Sequence, residues 1–188
     1  ESTPFAVIYQ DGEKCSVEHE SIYPKYRIED ARSLRSLPMY QKKVTLLDAL
    51  SHAMEAIWSK YSNEDSRAYG QKAISLILTK YKAYLSLENK NEAKVQGKAS
   101  SAEDPSESVL ESIAEAANLA GKAIAVTKTT AGHALSYKLG SIYQLPHGLA
   151  TAMVNRALYP FMCREKSRMT DPENLLFLAK CFSVETEE

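Results

Sequence analysis

The chain has 188 residues, 44% hydrophobic and 25% charged, which suits one globular domain with at most a small appendage and enough length to bury a core. A formal net charge of −1 excludes any overall pull toward nucleic acid or an anionic membrane. No apolar run approaches the ~18 residues a membrane-crossing helix needs, no targeting leader is seen at Glu1, and three widely spaced cysteines, Cys15, Cys163 and Cys181, read as reduced thiols of a cytoplasmic protein.

In chain order, the opening "FAVIYQDGEKCSVEH" predicts a β-hairpin. Phe5 to Tyr9 and Cys15 to His19 are strand-like, with Asp11-Gly12 as the positive-φ turn between them. "KYRIED", residues 25 to 30, reads as a further short extended piece after Pro24. Beyond Pro38 the texture turns helical. Val44, Leu47, Leu50, Met54 and Ile57, with Trp58 beside them, recur at helix spacing. A second helix is expected from about Asn63, whose side chain can cap it. Residues 88 to 104 are polar and weakly patterned, as in a solvated loop or frayed helix end. Pro105 opens a third helix, with Val109, Ile113, Ala116 and Ala120 on one stripe. Two helical runs surround "TTAGHALSYKLGSIYQLPHG", and Asp171-Pro172-Glu173 starts a last helix. The expected fold is mainly α: a helical bundle-like domain preceded by a small hairpin, with no internal repeat.

Three of the four histidines draw attention. Asp48 and His52 are four apart on one helical face, with Cβ atoms about 5–6 Å from each other. A carboxylate and an imidazole so placed can share one ion at about 2.0–2.2 Å, or simply hydrogen-bond. His133 follows Ala131-Gly132, small residues that allow close backbone approach at a helix start, and His147 lies in a proline-set turn, Pro146-His147-Gly148. Both stand among small and apolar neighbours, where a buried imidazole needs partners for its nitrogens and a metal is one such partner. Three imidazoles and one carboxylate suit divalent iron or zinc better than calcium or magnesium. Glu55, at helix spacing from both Asp48 and His52, either orients a ligand or serves as a solvated or capping residue. His19 has no motif around it and reads as a surface residue.

The words "DALSHAMEA" and "AGHALSYKLG…LPHGLATA" resemble those of the iron-containing (group III) alcohol dehydrogenases, within the dehydroquinate-synthase-like fold. In that family the Asp and His of D-A-L-x-H, a His in an A-G-H-type segment and the His of P-H-G bind one divalent metal, so the resemblance assigns Asp48, His52, His133 and His147 as ligands of Fe2+ or Zn2+. It implies an enzyme that exchanges hydride between a small alcohol or aldehyde and NAD(P). The family carries an α/β nucleotide-binding domain that ends in a G-S-E loop, and Glu1 stands where that Glu would be. Residues 1–30 are thus expected to join a missing nucleotide-binding domain, and 31–188 to form a helical metal-binding domain cut short at its C-terminus. The seven glycines form no G-x-G-x-x-G loop, so the chain alone is expected to be inactive, and the lost neighbours are expected to leave an apolar surface open to homo-oligomerisation.

Many family members carry another His four positions after the third-segment ligand. Here that position is Tyr137, which either relays a proton to substrate or is a core aromatic at helix spacing; its ordinary pKa near 10 makes it a poor base. "TTAGHALSYKL" looks closer to the branch acting on phosphonate aldehydes, such as phosphonoacetaldehyde reductase, in which Lys138 could face an anionic group or else only solvent. Two other readings compete. Sugar-phosphate cyclases share the superfamily but use a Glu and two His, against which D-A-L-S-H argues. A non-catalytic helical interaction module predicts no stoichiometric metal.

Overall fold

A computed structural model describes residues 3–11, 13–87, 105–169 and 171–182. Strands β1 (Phe5–Gln10) and β2 (Glu13–Glu18) form an antiparallel hairpin with Phe5 opposite Glu18 and Gln10 opposite Glu13. The second strand begins two residues earlier than the sequence pattern suggests, because the ladder closes right up to the turn. Asp11 takes the left-handed conformation, φ 52°; Gly12 and the expected loop at 88–104 lie outside the described residues. Residues 25–30 pair with no strand, and the described sheet has two strands only. A short 3-10 turn over Glu20–Ile22 is capped by the exposed His19, which accepts from the Ser21 amide, and a longer one spans Ala31–Ser36.

Among the described residues six α-helices follow: α1 (Met39–Trp58), α2 (Glu64–Ser86), α3 (Pro105–Thr127), α4 (Ala131–Tyr143), α5 (His147–Arg164) and α6 (Glu173–Phe182). Helices α1, α2 and α3 pack mutually; α5 lies against α1 and α4, and α6 closes on α1 and α2. The core runs along this seam. Ala53, Ala56, Ala73, Ala116, Ala120 and Ala123 have no exposed surface, so their helices approach closely around the larger Ile57, Ile74, Ile77 and Leu110. Among the described residues no helix is long and apolar enough to cross a membrane.

Asn63 caps α2 as the sequence suggests. Its carboxamide accepts from the Ser66 amide at 2.9 Å while Ser66 Oγ accepts from the Asn63 amide at 2.9 Å, a reciprocal capping box. Asn63→Ala is expected to cost about 1 kcal/mol, read as a lowered midpoint in urea with an unchanged slope. An unshifted midpoint would show that the cap contributes nothing to α2.

Candidate metal centre

The site is built by three helices that meet where two glycines remove bulk. Gly148, in the first turn of α5, lies so close to α1 that a Cβ would collide with the Val44 carbonyl and the Asp48 side chain. Gly132, in the first turn of α4, is pressed against Glu55 and Asn155 in the same way. The reversal between α4 and α5 is made by Gln144, in the left-handed conformation at φ 53°. These approaches bring His147, on the first residue of α5, and His133, near the start of α4, over Asp48 in the middle of α1.

One donor atom each of Asp48, His133 and His147 lies within 4.8 Å of the other two. Asp48 Oδ1 is 3.8 Å from His133 Nε2 and 3.7 Å from His147 Nε2. Both separations exceed hydrogen-bond length. They are close to the ~3.4 Å between two ligands that hold one ion tetrahedrally at about 2.1 Å. His133 is 2% exposed, and its Nε2 is buried with no hydrogen-bond partner, which is costly unless something outside the chain engages it. Donor chemistry, spacing and this orphaned nitrogen together fit a divalent ion.

His52 stands beside this trio without joining it. Its ring stacks on that of His133, with centroids 4.5 Å apart and planes 14° from parallel. Burial first, and then the neighbouring His133, push its pKa down to about 3, with Glu55 opposing, so the ring is neutral. The His133 and His147 rings meet edge-on at 5.1 Å. Tyr137 is half-buried, its ring 6.0 Å from His147; burial, followed by the charges of Glu55 and Asp48, raises its pKa. Asp48, His52, His133, Tyr137 and His147 line one cleft of about 1000 Å³, whose other walls include the hairpin, the small-residue face of α3 and Lys128. Lys138 is exposed and is not among the lining residues.

Glu55 is fully buried and makes the most connections in the site. His133 Nδ1 lies 2.7 Å from its Oε1, Asn155 Nδ2 donates to Oε1 at 3.1 Å, and the Thr130 amide and hydroxyl both donate to Oε2, the hydroxyl at 2.8 Å. Burial alone would push its carboxyl up, but the His133 and Thr130 hydrogen bonds hold it below its ordinary value. Of the two sequence readings of Glu55, orientation of His133 is the one the geometry supports. Thr130, Asn155 and Trp58, whose indole donates to Thr130 Oγ1 at 3.0 Å, escaped the sequence reading. The one signal was Asn155 itself, a polar residue directly after the apolar "AMV" and two turns after His147.

A helical domain thus gathers a carboxylate and imidazoles on one wall of a cleft that the hairpin also lines. Residues 43–188 match the Fe-containing alcohol dehydrogenase family, C-terminal domain. The chain belongs to the iron-containing alcohol dehydrogenase family. It is 33% identical over 156 residues to the bifunctional aldehyde-alcohol dehydrogenase AdhE of Escherichia coli K12, covering 82% of this chain and 16% of that protein. The 1,3-propanediol dehydrogenase of Klebsiella pneumoniae is 29% identical over 157 residues, 84% of this chain and 35% of that one. Among solved structures, the iron-containing alcohol dehydrogenase of Thermotoga maritima superposes with a TM-score of 0.75 at 26% identity, over 96% of this chain and 44% of that one. The chain therefore spans less than half the length of these relatives. A maleylacetate reductase from Rhizobium, at 20% identity and a TM-score of 0.74, shares the fold.

Proposed function

We propose that this chain is the metal-binding, substrate-side domain of an NAD(P)-dependent alcohol dehydrogenase, in which Asp48, His52, His133 and His147 hold one Fe2+ or Zn2+. The observation that carries the reading is the convergence of Asp48, His133 and His147 on one point with His133 Nε2 buried and unpartnered. His52 enters the set through the family resemblance and its place one turn from Asp48; to join, its ring has to leave the stack on His133. Residues 1–30 would connect this domain, 31–188, to a nucleotide-binding partner domain. Self-association would draw on exposed apolar side chains such as Tyr26 and Ile28, which are 91% and 95% exposed.

A bound ion supplies a Lewis acid that stabilises negative charge on the substrate oxygen while NAD(P) takes or gives the hydride. The chain's own residues supply the rest. Glu55 fixes the plane of His133. Tyr137, on the rim facing His147, keeps its proton at neutral pH and acts as a hydrogen-bond donor to the substrate oxygen, since its raised pKa makes it a weak base. Small alcohols and aldehydes are the substrate class.

Elemental analysis of the purified chain tests the ligand set. About one iron or zinc is expected per wild-type molecule, and close to none in Asp48→Ala or His133→Ala. Equal metal in all three samples would overturn the assignment, and a wild-type chain with no metal would favour a non-catalytic helical module.

A further inference from the structure

The buried Glu55 carboxylate constrains its neighbours by simple donor and acceptor counting. An ionised carboxylate offers about four acceptor positions and no proton. The Thr130 backbone amide can only donate, and it points at Oε2. Only the nitrogen of the Asn155 amide can face a carboxylate, and it donates to Oε1 at 3.1 Å. The Thr130 hydroxyl has its direction set from behind: Trp58 Nε1, which has no lone pair to offer, donates to Thr130 Oγ1 at 3.0 Å, so that oxygen turns its own hydrogen to Glu55 Oε2 at 2.8 Å. Three fixed donors thus converge on Glu55 and favour its ionised form. The fourth position belongs to His133 Nδ1, 2.7 Å from Oε1, which must bring a hydrogen to it.

We infer that the Trp58–Thr130–Glu55–Asn155 network commits a hydrogen on His133 Nδ1 to Glu55, so that Nε2 is the nitrogen turned to the point shared with Asp48 and His147 before any ion arrives. Glu55 is then a positioning residue, acting through His133, and Thr130, Asn155 and Trp58 act through Glu55. The purpose of the device rests on the metal-binding reading, but the Nδ1 hydrogen belongs to the chain alone and is measurable without metal. Gly132 is part of the same construction, since the space beside its Cα is filled by the Asn155 and Glu55 side-chain oxygens. With Nδ1 turned inward to Glu55, the ring leaves Nε2 without a partner in the chain.

The test is long-range proton–nitrogen correlation on the metal-free 188-residue chain with 15N-labelled histidine at pH 7.5, alongside Co2+ titration followed by its visible absorption. Wild type is expected to show His133 as Nδ1–H. Finding it with no hydrogen on Nδ1, as in the Nε2–H form, would overturn the inference. Glu55→Gln keeps the shape of the side chain but offers an NH2 where His133 needs an acceptor. In this variant the Nε2–H tautomer is expected to appear and Co2+ affinity to fall by about 10–100-fold. Unchanged tautomer and unchanged affinity would overturn the positioning role. The wild-type spectrum needs no variant, so a misfolded Glu55→Gln leaves the inference testable. A wild-type chain in the Nδ1–H form that takes up no Co2+ would sink the metal-binding reading while supporting the inference.

Discussion

Gly132→Ala is expected to destabilise the chain by about 3 kcal/mol or more and to empty the candidate metal centre in the same step. The added methyl group has no room: it would stand on the Asn155 carboxamide oxygen and the Glu55 carboxylate. Relief requires either moving α4 away from α1 and α5, which separates His133 from Asp48, or expelling Asn155 or Glu55 from its hydrogen bonds. Both side chains are buried, Glu55 fully and Asn155 to 2% exposure, so either would be left with unmet polar atoms. Ordinary glycine-to-alanine exchange inside a helix has the opposite sign, since alanine is the better helix former by about 1 kcal/mol. The sign of the change therefore separates steric from propensity effects. Chemical unfolding with elemental analysis on the same samples reads both consequences. A variant as stable as wild type that keeps its metal would show that α4 does not sit against Glu55 as described.

How much of this was legible in the sequence depends on the range over which each residue acts. Asn63 could be read as a cap because both halves of the capping box, Asn63 and Ser66, lie within one turn. Asp48 and the glycines beside His133 and His147 were readable because a family motif fixes spacing and flanking residues together. The start of β2 falls two residues before the expected one, since strand-like texture begins at Cys15 but the ladder follows the turn and reaches Glu13. Gln144 and Lys128 take positive φ without being glycine, so nothing in their identity announces the turns they make. The orientation of His133 was the least visible feature. Glu55 was in view, but its partners Thr130 and Asn155 are 75 and 100 residues away, and only packing brings them together. The stacking of His52 on His133 is likewise a rotamer outcome. Its position one turn after Asp48 says that it can reach the site, not which way the ring turns.

That ring sets the second large effect. In the metal-free chain, stability is expected to fall as pH drops below 6.5, and to go on falling toward pH 3. His52 is neutral in the folded state, with its pKa pushed from 6.5 down to about 3 by burial and by His133. Unfolded, the same imidazole titrates near its ordinary value of about 6.5. Between those two values the unfolded chain binds a proton that the folded chain refuses, so stability rises with pH across this window and is lost on acidification. Each pH unit in the window is worth about 1.4 kcal/mol for one such group, and solvent reaching the half-buried ring reduces the total to a few kcal/mol. His52→Phe keeps a flat ring for the stack on His133 and has nothing to titrate, so its stability is expected to decline less steeply from pH 6.5 to 4. Urea midpoints of both proteins at half-unit intervals, in the presence of a chelator, measure the difference. Parallel curves would mean that His52 is freely protonated in the folded chain, and the desolvated stack against His133 would have to be abandoned.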